Sequence, residues 1–139
     1  AGLLESETRR IHVLIQMLLL IAALQLKHFV ADYLLQNEWI IRGKRSFTHL
    51  GGYVHASVHA IGTIATLAVL TGLGAREVLL IGGAEFVVHY LLDFAKAHYG
   101  DHYTSVDEPK RFWAAHGFDQ MLHHFTYLTI AYAVVTISA

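Results

Sequence analysis

The chain has 139 residues, of which 55% are hydrophobic and 15% charged, and its formal net charge at pH 7 is −1. Soluble domains carry about 25% charged residues, so this composition favours a membrane protein over a soluble globule. The basic residues form no long basic face for nucleic acid, and the absence of cysteine excludes disulfide bonds and thiolate metal sites.

Four apolar segments are long enough to cross a bilayer, so the sequence predicts an all-α fold in which four transmembrane helices form a bundle. We predict the spans at about residues 11–41, 49–70, 77–97 and 110–137 of one membrane domain. The first span exceeds the roughly 20 residues that a hydrocarbon core requires. We therefore expect it to tilt or to project beyond the membrane.

The start of the first span also has features of a signal peptide, because Arg9 and Arg10 precede an apolar run over residues 13–24. That apolar run is short, and the His28/Asp32 pair behind it follows the pattern of the later spans. We therefore predict that the segment is retained as a membrane helix.

Short polar segments connect the predicted spans. A basic segment over residues 42–48 precedes the second span, and a Gly-containing turn over residues 71–76 leads into the third. A polar loop over residues 99–108 follows. We expect Asp107 to cap the last helix and Pro109 to occupy its first turn, where a missing N–H costs little.

Because consecutive helices run in opposite directions, the polar residues of all four spans are predicted to meet at one end of the bundle. We call this end side B; it carries the connections after the first and third spans, and the opposite end is side A. Ionisable residues inside apolar segments are costly and by default mark a functional site. The motifs that reach side B are His28-x-x-x-Asp32, His55-x-x-x-His59, His89-x-x-x-Asp93, and His116 with Asp119 and His123.

Helical periodicity divides the histidines further, since residues three and four positions apart share a helix face. We predict that His49, His98, His102 and His124 lie away from the shared interior, and that His12 lies at side A. The histidines predicted to face inward are His28, His55, His59, His89, His116 and His123.

Imidazole and carboxylate groups bind zinc, manganese and iron, and two ligands one turn apart can hold one ion from a single helix. We predict a divalent metal cofactor, zinc in the first place, with iron or manganese as alternatives. The predicted activity is metal-assisted hydrolysis of a lipid-like substrate, with Asp32 and Asp119 as candidate catalytic carboxylates. The predicted ligands are His55, His59, His89, Asp93 and His123, with His28, Asp32, His116 and Asp119 as additional ligands or as partners that orient them.

A histidine one turn from a carboxylate is also a common buried hydrogen-bonded pair that holds no metal. On that alternative the polar residues form an interhelical network in a non-catalytic membrane subunit or scaffold. The predicted partners are the lipid bilayer and either a larger membrane complex or further copies of the chain, without nucleic acid. Lys27 and Lys96 are predicted to extend toward the interface, where their ammonium groups would contact an anionic headgroup.

The combination of motifs resembles a family of small bacterial and phage membrane proteins classified only as a domain of unknown function. The resemblance covers about residues 25–128 and implies a polytopic inner-membrane protein, without an established activity. More distantly, the layout is similar to predicted membrane-bound metal-dependent hydrolases. The residues that carry the family resemblance are His28-x-x-x-Asp32-x-x-x-Gln36, His55, His59, His89-x-x-x-Asp93-x-x-Lys96 and Asp119-Gln120-x-x-His123.

Two short motifs also resemble the histidine boxes of membrane di-iron desaturases and hydroxylases. These are His55-x-x-x-His59 and Gln120-x-x-His123-His124. The third box of that class is missing and the chain is short for it, so a di-iron oxidase is a secondary alternative.

The distribution of basic residues predicts the orientation. Side B carries six lysine and arginine residues near the span ends, against three at side A. The positive-inside rule therefore predicts that side B, and with it the polar site, faces the cytoplasm. The family resemblance implies the bacterial inner membrane as the location.

Overall fold

The computed structural model describes residues 2–103 and 109–138, and for residues 3 and 101–103 it describes the backbone alone. All regular structure in these ranges is helical, which confirms the predicted all-α fold. The elements are α1 (Gly2–Phe29), a π-helical segment (Val30–Leu34) that continues it, α2 (Glu38–Gly43), α3 (Leu50–Leu70), α4 (Ala75–Tyr103) and α5 (Pro109–Ser138).

Within the described ranges, three helices are long and apolar enough to cross a membrane. They cover Leu4–Leu34, Leu50–Leu70 and Ala75–Gly100. Helix α5 is as long as the others, but its histidines and hydroxyl residues lower its hydropathy. Many large apolar side chains face outward, among them Ile61, with 65% of its surface exposed. A large exposed apolar surface is what a membrane protein presents to lipid.

The prediction that the first span is one helix as far as Ile41 is wrong. The helix ends at Leu34, and the separate helix α2 begins at Glu38. Asn37 starts α2 in an extended conformation, and its side-chain Oδ1 accepts a hydrogen bond from the Ile40 N–H at 3.0 Å. An asparagine in this position is a favourable N-cap, so the chain turns where apolar content alone predicts that it continues.

The last turn of the first long helix has π-helical hydrogen bonding. The Leu35 N–H donates to the Val30 carbonyl at 3.0 Å, five residues earlier. Such turns are rare and occur frequently at functional sites. Asp32, a predicted site residue, lies within this turn.

Helix α1 begins at Gly2, nine residues before the predicted start, and the remaining helix ends differ from the predictions by up to six residues. Helix α3 begins one residue later than predicted, after His49, whose Nδ1 accepts a hydrogen bond from the Gly51 N–H at 3.0 Å. Helix α4 continues to Tyr103, so the predicted loop is helical at its start. Helix α5 begins at Pro109 as predicted, whereas the predicted cap Asp107 lies outside the described residues.

The interior has an apolar half and a polar half. Leu20, Leu24, Leu67, Tyr127 and Val134 belong to a buried apolar cluster that joins α1, α3 and α5 in the side-A half. The polar residues occupy the side-B half.

Helix α2 packs backbone to backbone on the start of α3. Gly43, the last residue of α2, is buried, and a Cβ atom added to it would lie 2.5 Å from the Gly51 Cα and 2.6 Å from the Gly52 nitrogen. The contact therefore requires glycine. It holds the next residue, Lys44, beside the polar half of the bundle.

We expect Gly43→Ala to destabilise the protein by about 1–3 kcal/mol, as overpacking of a tight contact does. The midpoint of thermal unfolding in detergent measures this. Gly83→Ala is the matched control, because nothing lies within 4 Å of a Cβ at that exposed helical position, and alanine has the higher helix propensity. Equal stability of the two variants would refute the close α2–α3 contact.

Candidate metal centre

Buried polar residues from four helices meet in the side-B half of the bundle. Long helices connected by short loops bring these distant stretches of sequence to the same end of the bundle. Asp32, on the π-helical turn, is half-buried beside them. The fully buried members are His28, His55, His59, Thr63, Glu85, His89, Asp93, Asp119 and His123.

A first group of possible ligand atoms comes from Asp32, His55, His59 and His89, and these atoms all lie within 4.8 Å of one another. The Asp32 Oδ1 atom lies 3.0 Å from the Nε2 atoms of both His55 and His59. The rings of His59 and His89 stack with their centroids 3.7 Å apart. Three imidazoles and one carboxylate are the number and type of donors that tetrahedral zinc takes.

A second group contains His89, Asp93 and His123, again with ligand atoms within 4.8 Å of one another. The Asp93 Oδ2 atom lies 3.3 Å from the Nε2 atoms of His89 and His55, and the Oδ1 atom lies 3.9 Å from the His123 Nε2. Because His89 belongs to both groups, the two groups adjoin. The arrangement has donors for one ion or for two neighbouring ions.

In a neutral histidine, the ring nitrogen that carries the hydrogen cannot bind a metal, so the hydrogen bond that it donates shows which nitrogen is free to coordinate. The His123 Nδ1 lies 2.8 Å from the backbone carbonyl of Asp119, which can only accept, so Nδ1 carries the hydrogen. The Nε2 lone pair of neutral His123 therefore remains available on the side of Asp93. Metal-binding histidines generally donate their other N–H to a carbonyl or carboxylate in this way.

Several buried nitrogen and oxygen atoms, some of which could bind a metal, have no hydrogen-bond partner among the described residues. Among them are the Nε2 atoms of His55, His89 and His123 and the Oδ2 atom of Asp93. Buried polar atoms almost always have such partners. The Asp93 carboxylate oxygens lie 3.3–3.9 Å from these three Nε2 atoms, and Oδ2 also forms an ion pair with the Lys44 Nζ atom at 2.9 Å. A cation between His89, Asp93 and His123, whose ligand atoms all lie within 4.8 Å of one another, would satisfy the unpaired atoms of the second group.

Three lysines surround the cluster, each paired with a carboxylate. Lys27 pairs with Glu85 at 2.5 Å, Lys44 with Asp93 at 2.9 Å, and Lys96 with Asp119 at 2.7 Å. The prediction that Lys27 extends to the interface is wrong, because its side chain is only 10% exposed and Glu85 holds it inside the bundle. Lys96 is 34% exposed.

Lys44 is a site residue that sequence reasoning missed. Its position in a basic connection indicated only the orientation of the membrane helices. A signal was present in the small residues Gly43, Gly51 and Gly52, since glycines allow close helix approach. Their contact directs the connection inward at Lys44.

Two predicted ligands lie outside both groups. His28 uses both nitrogens in hydrogen bonds, with the Tyr127 Oη at 2.9 Å and the Gln120 Oε1 at 2.9 Å. His116 is half-buried, with its Nδ1 atom 3.1 Å from the Lys96 Nζ atom. The geometry therefore places His28 beside the cluster and His116 between it and the surface.

The two candidate catalytic carboxylates occupy different positions. Asp32 lies within the first ligand group and also contacts the His28 Nε2 through Oδ2 at 3.3 Å. Asp119 lies behind His123, with its Oδ1 atom 3.6 Å from the His123 Nδ1. Asp119 is thus placed to orient a ligand, whereas Asp32 is placed to be one.

The remaining histidines lie mostly where predicted. His12 and His98 are exposed, and His49 caps α3. The side chain of His102 lies outside the described residues. His124 is nearer to the cluster than its helical position predicts, because it is half-buried and its ring centroid lies 5.7 Å from that of His28.

A family model described as "Protein of unknown function (DUF3307)" matches residues 16–139. The chain therefore belongs to this family, as its motifs predict. No curated protein and no solved structure matches the chain.

Proposed function

We propose that this member of the DUF3307 family binds a divalent metal, zinc in the first place, and uses it for hydrolysis at the membrane. The observation that carries the proposal is the set of buried donor atoms that lack hydrogen-bond partners, contributed by His55, His89, Asp93 and His123. A buried imidazole nitrogen left without a hydrogen bond costs about 1–3 kcal/mol, a cost that coordination of a metal would remove.

The donor set suits the chemistry of a hydrolase. Bound zinc acidifies a coordinated water so that hydroxide is available near neutral pH. In such a hydrolysis, water would supply an oxygen to the scissile ester and a proton to the leaving alcohol. Asp32 would accept or donate a proton beside the metal, and Asp119 would orient His123.

We further propose that α5 is a fourth transmembrane helix and completes a four-helix bundle. Its buried residues Ile130, Ala131 and Val134 pack in the apolar core, while Tyr132 and Ile137 face outward. With six basic residues near side B against three near side A, the metal centre would lie at the cytoplasmic face of the inner membrane.

The second candidate is a non-catalytic membrane subunit whose polar residues form an interhelical network. Its support is the set of complete hydrogen bonds around His28, together with the bond at 3.0 Å between the His59 Nε2 and the Asp32 Oδ1. These contacts would hold three helices together without a metal.

The test is the metal content of the purified protein, measured by elemental analysis after expression in medium that contains zinc, iron and manganese. We expect one to two zinc ions per chain, because the two ligand groups share His89. A wild-type protein that binds no stoichiometric metal, even after incubation with each ion, would contradict the metal centre and favour the network. Two iron ions per chain would favour the di-iron alternative over a hydrolase.

A further inference from the structure

A cavity of about 610 Å³ opens beside the metal cluster, between α2, α4 and α5. Asp93, which is almost completely buried, lies at its inner end. Phe112 and Ile41, at its outer end, are 49% and 44% exposed. The cavity therefore connects the second ligand group with the surface at side B.

Cations outnumber carboxylates among the described residues that line this cavity, and Lys96 is also paired with Asp119 outside the lining. Lys44, Arg45 and Lys96 line it, and Asp93 is the one carboxylate among the described lining residues. Asp93 is shared, because its Oδ2 atom contacts both Lys44 and the imidazoles. If Asp93 coordinates a metal, its charge is offset by the ion and Lys44 requires another anion, since a buried unpaired cation is costly. We call this space the cationic cavity.

An apolar groove of about 560 Å³ adjoins the cationic cavity on the outer side of α4 and α5. Leu92, Ala95, Phe118 and Leu122 line it, and it shares Lys96 with the cavity. Phe118 is 59% exposed, on a surface that carries many other exposed apolar side chains. A hydrocarbon chain of the surrounding lipid would reach this groove without crossing water.

We infer that the cationic cavity and the groove together bind a lipid with a terminal phosphate monoester, with this phosphate beside Lys44 and Lys96 and one chain between α4 and α5. Lysine is a common phosphate partner, and a tetrahedral phosphate offers separate oxygens to two lysines and to a metal. The assignment of this lipid as a substrate rests on the proposed hydrolytic function. Hydrolysis would cleave a P–O bond, with water supplying the oxygen to phosphorus and a proton to the leaving alcohol.

Binding to the detergent-solubilised full chain tests the inference, with native mass spectrometry as the readout. The probes are lysophosphatidic acid, lysophosphatidylcholine with the same chain, and inorganic phosphate. We expect lysophosphatidic acid to bind at least about tenfold more tightly than lysophosphatidylcholine, since its second phosphate charge adds at least one charged hydrogen bond. Equal binding of the two lipids would overturn the inference. Inorganic phosphate binding as tightly as lysophosphatidic acid would overturn the role of the groove.

Variants distinguish the cavity from a general attraction of anions. Lys44→Gln and the more exposed Lys96→Gln should each weaken lysophosphatidic acid binding about tenfold. The matched control is Arg76→Gln, an exposed cation at side A, which should bind as the wild type does. Ala95→Trp fills the groove and should weaken the binding of lysophosphatidic acid without weakening the binding of inorganic phosphate. Unchanged binding in both folded lysine variants would refute the cavity as the phosphate site.

Metal content measured in the same preparations separates this inference from the proposed function. Lipid selectivity without bound metal would support the lipid site and contradict hydrolysis. Bound metal without lipid selectivity would overturn the inference and leave the metal centre intact.

Discussion

Replacing His89 with alanine is expected to lower the affinity of the protein for zinc by more than about 100-fold. Loss of a residue that only hydrogen-bonds to a metal ligand lowers metal affinity by up to about 100-fold, and loss of a ligand itself should lower it further. His89 is the residue that both ligand groups share, and its ring stacks on His59. Its removal therefore takes a ligand from each group at once. Elemental analysis and competition with a chromogenic zinc chelator measure the loss.

Variants of residues that belong to one group give the comparison. Asp32→Asn should weaken only the first group, and His123→Ala only the second, so each should retain more metal than His89→Ala if two ions bind. The control is His12→Ala, which removes an exposed histidine at side A. Wild-type zinc affinity in a His89→Ala protein that elutes as a folded species would show that the cluster is not the metal site.

The buried ion pair between Lys27 and Glu85 is expected to have the largest effect on stability. The two side chains are 10% and 1% exposed and join α1 to α4. Glu85→Ala leaves the ammonium group inside the bundle with the His59 carbonyl at 3.3 Å and the Tyr127 ring centroid at 4.7 Å. Breaking a buried pair in this way costs about 3–5 kcal/mol. Denaturant unfolding in mixed micelles measures the change.

A double-mutant cycle tests whether the effect belongs to the pair. Lys27→Met combined with Glu85→Ala removes both charges, so the double variant should be more stable than the sum of the single losses predicts. Glu85→Gln keeps the shape and a hydrogen-bonding oxygen, and should lose less stability than Glu85→Ala. Strictly additive losses would show that the two side chains do not interact in the folded protein.

The predicted helices were mostly correct because their signals are local. Apolar runs, the Gly-containing turn and Pro109 act within a few residues, and α3 and α5 begin within one residue of the predicted positions. The break after Leu34 was missed because residues 35–41 remain partly apolar. There a single capping side chain, Asn37, outweighs apolar content.

The ligand groups could be predicted only in part. Alternating helix directions indicate which histidines share an end of the bundle, and a 3.6-residue period indicates which share a face. Whether an imidazole lies 3 Å or 8 Å from a carboxylate depends on the tilt and rotation of each helix. His116 and His123 have similar sequence patterns, yet only His123 lies beside Asp93.

By itself the sequence determined the helical class, the apolar exterior and the end of the bundle at which the polar residues gather, because these follow from composition and helical periodicity. Only the tertiary structure decided that His89 joins two ligand groups, that Lys27 is held inside by Glu85, and that Lys44 reaches Asp93. Those contacts depend on the separation of packed helices. In this chain close backbone approaches such as Gly43 on Gly51 help to set that separation.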